Sequence, residues 1–217
     1  MRLFIGIESC SMHRYSQQAV RETWLQNCLV DYKFFLSSPE AGPRPTPVED
    51  EILFPVKDGW NQMLRKFCLE IDWVLARDYD YFFRCHTDTY VHVPRLLASG
   101  FEQNDYIGWG QETALFPFCY GGAGFWLSKK AMLFLQETLR KDYWVQKMSN
   151  STEDYDIGRI LHDGGFARTH DSRYREHAPG PAPDNDYITL HESEIEIKNG
   201  HNLRYRDHML AAHRTAQ

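Results

Sequence analysis

Two hydrophobic periods alternate along the chain. Arg2 to Ile7 is a short apolar run of strand length, followed by the polar loop Glu8-Ser9-Cys10-Ser11 and a helical stretch from Tyr15 to Gln26. This β-loop-α opening sets the loop beside a helix N-terminus, where unpaired first-turn N–H groups favour anions. It lacks GxGxxG, so the ordinary dinucleotide fingerprint is absent. Asp31 to Ser37 predicts a second strand and Glu51 to Phe54 a third, separated by the proline-rich stretch Pro39 to Pro47, which cannot be regular structure. Trp60, Met63, Leu64, Phe67, Ile71, Val74 and Leu75 fall at three- and four-residue spacings and predict one apolar face of a long helix. Strands and helices alternating in this way give an α/β protein with a mostly parallel sheet and crossover helices.

The stretch that breaks the pattern is Tyr79 to Leu97. An aromatic, β-prone run through Cys85 turns abruptly polar at His86-Thr87-Asp88-Thr89 before hydrophobicity resumes at Tyr90-Val91. A buried strand that ends in an acid places that acid at a carboxyl edge, where open α/β sheets bind ligands. A turn in which Thr and Asp hydrogen-bond nearby amides fits the same residues. Tyr106 to Gly110 predicts another strand, and Gly121-Gly122-Ala123-Gly124 leads into Phe125 to Ser128. Those glycines permit either close approach of a ligand to the backbone or a tight turn with close helix packing. Ser128 is placed to cap the helix KKAMLFLQETL, with Met132, Leu133 and Leu135 toward the sheet. Glu153, Asp154 and Asp156 precede the apolar Ile160-Leu161, as acids do at helix N-termini, with Ser151 or Thr152 as cap; at least one of them is expected to be structural. Pro179 to Pro183 reads as an extended linker before a strand, Tyr187 to Leu190, that ends in His191.

Composition narrows the classes. The 217 residues, 42% hydrophobic, are enough for one fair-sized domain. A net charge of −6 argues against a protein whose main role is wrapping nucleic acid. Aromatic residues reach 14%, and such rings serve cores as well as sugar or base stacking. Five scattered Cys with no CxxC pair fit neither a disulfide framework nor a zinc site, and reduced thiols are the simplest reading. Met1 runs directly into an apolar strand rather than a signal peptide, and no apolar run reaches about 18 residues, so a cytoplasmic location is expected. The ten His form no HExxH, which leaves a His-based metallohydrolase without its motif.

Several segments, taken in order, resemble one family. Gln18-Ala19-Val20-Arg21-Glu22-Thr23-Trp24 is similar to its AIRETW helix, and Asp58-Gly59-Trp60 through Lys66 to its D-x-Y-x-N-L-x-x-K helix. His86-Thr87-Asp88-Thr89-Tyr90-Val91 is similar to D-D-D-T-Y-V, Tyr120 to Lys129 to GGAGYVLSK, and Glu153 to Arg159 to E-D-V-x-x-G-R. Asp171-Ser172-Arg173 matches a short downstream element. Together they resemble the inverting β1,3-glycosyltransferases of the fringe and core-1 galactosyltransferase group, over roughly residues 3 to 192. The resemblance implies a GT-A fold in a single domain, residues 1–192, with a basic, His/Arg-rich segment at 193–217.

It also implies roles. Asp88 stands where relatives bind Mn²⁺ (or Mg²⁺), and His191 where some relatives place a histidine ligand, giving a metal pair of Asp88 and His191. His86 and Thr87 depart from the acidic triplet; an imidazole can bind the metal or a ribose but adds no negative charge. Asp154 matches the general base, with Glu153 and Asp156 as its nearest rivals for that role; Arg21, Asp58, His86, Asp88, Gly122 and Gly124 would contact the nucleotide-sugar donor. The implied reaction moves a hexose, galactose or N-acetylglucosamine, from a UDP-sugar to the hydroxyl of a glycan, glycoconjugate or modified-DNA acceptor. Two other readings stay open: transfer to a modified DNA base, with Arg168, Arg173, Arg175, Arg204, Arg206 and Arg214 as a phosphate-contacting face, and a catalytically eroded nucleotide- or glycan-binding module.

Overall fold

The aromatic run before His86 is the middle strand of the protein. The computed structural model describes residues 1–38, 46–110, 112–140, 152–176, 186–191 and 209–214. Strands β1 (Leu3–Glu8), β2 (Asp31–Ser38), β3 (Glu51–Lys57), β4 (Tyr81–His86), β6 (Tyr106–Gly108), β7 (Phe125–Ser128) and β8 (Arg168–His170) form a seven-stranded sheet in the order β3-β2-β1-β4-β7-β6-β8. All neighbours pair parallel except β7, which runs antiparallel to β4 and to β6. A small second sheet joins β5 (Thr89–Val91), β10 (Thr189–His191) and β9 (Tyr174–Glu176) in the order β5-β10-β9.

Side chains that alternate along the strands feed two apolar layers. On one face Ile5, Ile7, Phe34, Phe83 and Cys85 pack with Ala19 and Val20 of α1 (Arg14–Glu22). On the other, Phe4, Phe35 and Phe82 meet Leu64, Phe67, Ile71 and Val74 of α2 (Met63–Leu75) and the buried faces of α4 (Lys129–Leu139) and α5 (Glu153–Asp163). A short helix, α3 (Val93–Leu97), follows β5.

Several expectations change in detail. The first helix stops at Glu22 rather than Gln26, and Trp60 is 79% exposed in a 3₁₀ turn (Trp60–Gln62) instead of on the apolar face of α2. Leu133 is exposed, and α4 buries Ala131, Met132, Leu135 and Leu139, while Ser128 caps it by accepting from the Ala131 N–H at 3.1 Å. Strand β3 runs past Phe54 through Pro55, which an edge strand tolerates because no neighbour needs its missing N–H. Residues 209–214 of the C-terminal segment are helical. Met209 and Ala212 are buried in the same core as Tyr90 and Tyr187, and the Tyr187 hydroxyl donates to the Ala212 carbonyl at 3.2 Å. His201, Arg204, Arg206, His208, the Pro179 to Pro183 linker and 39–45 of the proline-rich stretch lie outside the described residues.

Among the described residues no helix is long and apolar enough to cross a membrane.

Candidate active site and metal centre

The carboxyl edge of the sheet is built on a buried charge network. Register pairs Glu8 with His86, so the ends of β1 and β4 lie side by side. Arg84, two residues earlier on β4 and fully buried, is bracketed by carboxyl groups: Glu70 at 3.2 Å, Glu153 at 3.1 Å and Glu8 at 3.4 Å. Lys66 sits one helical turn from Glu70 on α2 and donates to a Glu8 carboxylate oxygen and, at 2.6 Å, to the Ser9 carbonyl. Burial alone would raise the Glu8 carboxyl, but Lys66, a hydrogen bond from Glu70 and Arg84 hold it down to about 2. Burial and the Glu8 charge push Glu70 well above the usual carboxylate range, so it keeps its proton and donates to Glu8. Removing one charged member of such a network leaves an uncompensated buried charge, at a cost of about 3–5 kcal/mol.

This network carries the chemistry-bearing residues. Thr87 continues from β4 with its amide on the Glu8 carbonyl at 3.1 Å and is itself buried, so the middle position of the triplet points into the protein. Asp88 turns outward. Antiparallel pairing of β10 with β5 sets His191 opposite Thr89, which brings the His191 ring onto Asp88, Nε2 to Oδ2 at 3.2 Å. His86, Asp88 and His191 each offer a ligand atom within 4.8 Å of the others.

His86 and Asp88 are in protonation states that suit a cation, and His191 would give up the proton it shares with Asp88 on binding one. Burial, then the Arg84 charge, lowers His86 to about 4, so its ring is neutral and keeps a lone pair. Burial would raise Asp88, but the hydrogen bond and charge of His191 outweigh it and hold the carboxyl below its ordinary value. His86 Nε2 is buried, makes no hydrogen bond, and lies 3.9 Å from Glu153 Oε1. Donors that share an ion at about 2.1 Å lie about 3–4 Å apart; Asp88 and His191 meet that at 3.2 Å, and two imidazoles with a carboxylate are a donor set suited to a divalent first-row metal.

Asp154 opens α5 beside this cluster. Glu153 points inward onto Arg84 and is buried, whereas Asp154 is half-buried and accepts from the Gly121 N–H at 3.3 Å. Burial and the neighbouring Glu153 raise its pKa. A Cβ built at Gly121 would lie 3.4 Å from His86 Nε2, so one glycine spans from the acid to the imidazole. At Gly122 a Cβ would lie 2.7 Å from both ring nitrogens of His191, and the Gly122 carbonyl accepts from the Thr89 hydroxyl at 2.6 Å. Gly124 has φ +83° and a Cβ there would meet Phe83 at 2.5 Å. At both glycines the space a Cβ would take is filled by protein, by His191 at Gly122 and by Phe83 at Gly124. Next to Asp154 runs a ladder of rings: Trp109 stacked on Tyr120 at 5.1 Å, Tyr120 on Phe118 at 5.1 Å, and Phe118 on Tyr155 at 5.6 Å.

Two residues expected to contact the donor have protein partners. Arg21, at the last turn of α1, forks onto Asp50 at 2.7 and 2.8 Å and reaches Glu51 at 2.9 Å, with Phe34 beneath its guanidinium; its hydrogen-bonding capacity is directed to the β3 edge. Asp58 follows β3 and accepts from Ser11 at 3.4 Å, with burial raising its pKa; it is on the Glu8–Lys66 side of the sheet edge rather than in the His–Asp–His cluster. Of the arginines considered as a phosphate-contacting face, Arg168 and Arg173 are paired with Glu112 and Asp171. The sequence did not single out Glu8, Glu70 or Arg84. Only a charged residue inside an otherwise apolar strand or helix face, such as Arg84 after Phe82-Phe83, signalled them.

No family model matches the chain, and no curated protein matches it. Among solved structures, the fold is similar to a glycosyltransferase involved in the glycosylation of the major capsid of PBCV-1, with a TM-score of 0.57 and 10% identity, covering 97% of this chain and 100% of that one. At that identity the likeness is one of fold: the chain has a GT-A-like architecture, a mixed, mostly parallel sheet flanked by helices.

Proposed function

We propose that the protein is an inverting glycosyltransferase that moves a hexose, galactose or N-acetylglucosamine, from a UDP-sugar to an acceptor hydroxyl. The observation that carries the reading is the convergence, at one carboxyl edge, of a His–Asp–His cluster and the acid Asp154, bridged by the Gly121 backbone. The GT-A-like fold supports it. A divalent cation, Mn²⁺ or Mg²⁺, held by Asp88 and His191 would supply charge to offset the departing diphosphate.

In this reading Asp154 takes the proton of the acceptor hydroxyl as that oxygen bonds to the anomeric carbon, while the bond from that carbon to the diphosphate oxygen breaks on the opposite face. A carboxyl raised toward the working pH is the stronger base. The ring ladder from Trp109 to Tyr155 offers an apolar wall beside that acid, suited to the C–H face of a sugar acceptor. Carboxylate partners on Arg168 and Arg173, with the net charge of −6, favour a glycan over a DNA acceptor.

The test is release of UDP from a panel of UDP-sugars with mono- and disaccharide acceptors, for wild type and Asp154→Asn. Acceptor-dependent UDP release by wild type, lost in the variant, supports the reading. UDP binding without release from any donor or acceptor would favour a nucleotide-binding module instead.

A further inference from the structure

We propose that His86 is a third protein ligand, so that His86, Asp88 and His191 form a centre that binds a first-row transition ion without any nucleotide and selects it over Mg²⁺ and Ca²⁺. The inference deepens the reading above and rests on it for what the ion does.

Three observations carry it. First, the donor atoms come from separate parts of the fold, the end of β4, the turn after it and the end of β10, yet lie within 4.8 Å of one another. Second, the backbone at Gly122 is cut to fit a ring: a Cβ there would lie 2.7 Å from both His191 nitrogens, in space that the imidazole fills. Third, His86 Nε2 is buried and makes no hydrogen bond, with Glu153 Oε1 3.9 Å away, so the ring keeps a nitrogen open to a ligand. The donor set decides the selectivity. Carboxylate and water suit Mg²⁺ and Ca²⁺, whereas two imidazoles beside one carboxylate favour Mn²⁺, Co²⁺ and Zn²⁺ in rising order of affinity apart from Co²⁺ and Zn²⁺, which lie close together. A site with one carboxylate and one imidazole needs diphosphate oxygens to complete it; three protein ligands do not.

The experiment is titration of the apoprotein with Co²⁺, without nucleotide, followed by visible d–d absorption and by calorimetry, with Mg²⁺ as competitor. Wild type, His86→Gln, His86→Asp and the surface control His162→Gln are compared, with folding checked by circular dichroism. Expected are one Co²⁺ per chain, affinity at least about tenfold weaker in His86→Gln, no change in His162→Gln, and an excess of Mg²⁺ that displaces Co²⁺ only from His86→Asp. Equal affinity in His86→Gln, or no Co²⁺ bound by wild type until UDP is added, would overturn the inference. Should His86→Gln not fold, His86→Asp decides: unchanged preference for Co²⁺ over Mg²⁺ overturns it. No arm contains a sugar nucleotide, so a protein that transfers sugar but fails here keeps its proposed activity and loses only this ligand set.

Discussion

The His191 ring lies 3.2 Å, Nε2 to Oδ2, from the Asp88 carboxylate, although the two residues belong to distant parts of the sequence. Backbone pairing of β10 with β5 creates this contact, because His191 is held opposite Thr89 by the strand register. His191→Gln is therefore expected to leave the fold intact, with a thermal midpoint within a few degrees of wild type. Retention of Mn²⁺ on equilibrium dialysis is expected to fall at least about tenfold. A variant that unfolds would show that the ring is chiefly core packing.

Asp154→Asn keeps the shape of the side chain and removes its basicity. Transfer is expected to fall by about 10²–10⁴-fold, with the Kd for UDP unchanged within about twofold. Because burial and Glu153 raise the Asp154 pKa, activity is lost as pH falls through that raised value. The acid limb of the kcat/KM profile is thus expected above the ordinary aspartate value. An acid limb at the ordinary value would assign the base elsewhere.

Gly122 and Gly124 separate site from scaffold. A methyl at Gly122 collides with the His191 ring, whereas at Gly124 it meets Phe83 in a residue whose φ of +83° already disfavours any side chain. Gly122→Ala is expected to abolish metal binding with modest loss of stability. Gly124→Ala is expected to lower stability by about 1–3 kcal/mol, measured by urea unfolding.

Glu8 and Glu70 are neighbours with opposite protonation. The Glu8 carboxyl, held at about 2, contributes stability that is present above the unfolded value of 4.5 and is lost as pH falls through about 2. Glu70 has a raised pKa, so its contribution is full below 4.5 and is lost as pH rises through the raised value. Glu8→Gln is expected to cost about 3–5 kcal/mol at neutral pH. Glu70→Gln, which replaces a proton-bearing group with a neutral donor, is expected to be tolerated and to flatten the loss of stability at high pH. Equal destabilisation by both variants would contradict the assigned protonation.

The sequence made the sheet and the outward acid legible because short apolar runs and three- and four-residue spacings reflect burial directly. The turn at Thr87-Asp88 and the Ser128 cap follow from such local signals, as does a structural role for one of the acids that open α5, though not which one turns inward. The buried ions did not: Lys66 and Glu70 lie one turn apart on α2, and only the tertiary meeting with Glu8 and Arg84 makes them internal. His86 read as a departure from an acidic triplet, and its nearness to His191 is set by pairing in a second sheet that local periodicity does not encode. The ion pairs of Arg21 were not legible for a similar reason, since its partners Asp50 and Glu51 lie at the start of a strand beyond the intervening β2.

The most direct measurement is calorimetric titration of UDP into the protein with and without Mn²⁺, for wild type and Asp88→Asn. Expected are UDP binding by wild type that strengthens at least about tenfold with Mn²⁺, and no such gain in the variant. Binding indifferent to Mn²⁺, or an equal gain in Asp88→Asn, would contradict a metal-assisted nucleotide-sugar site at this edge.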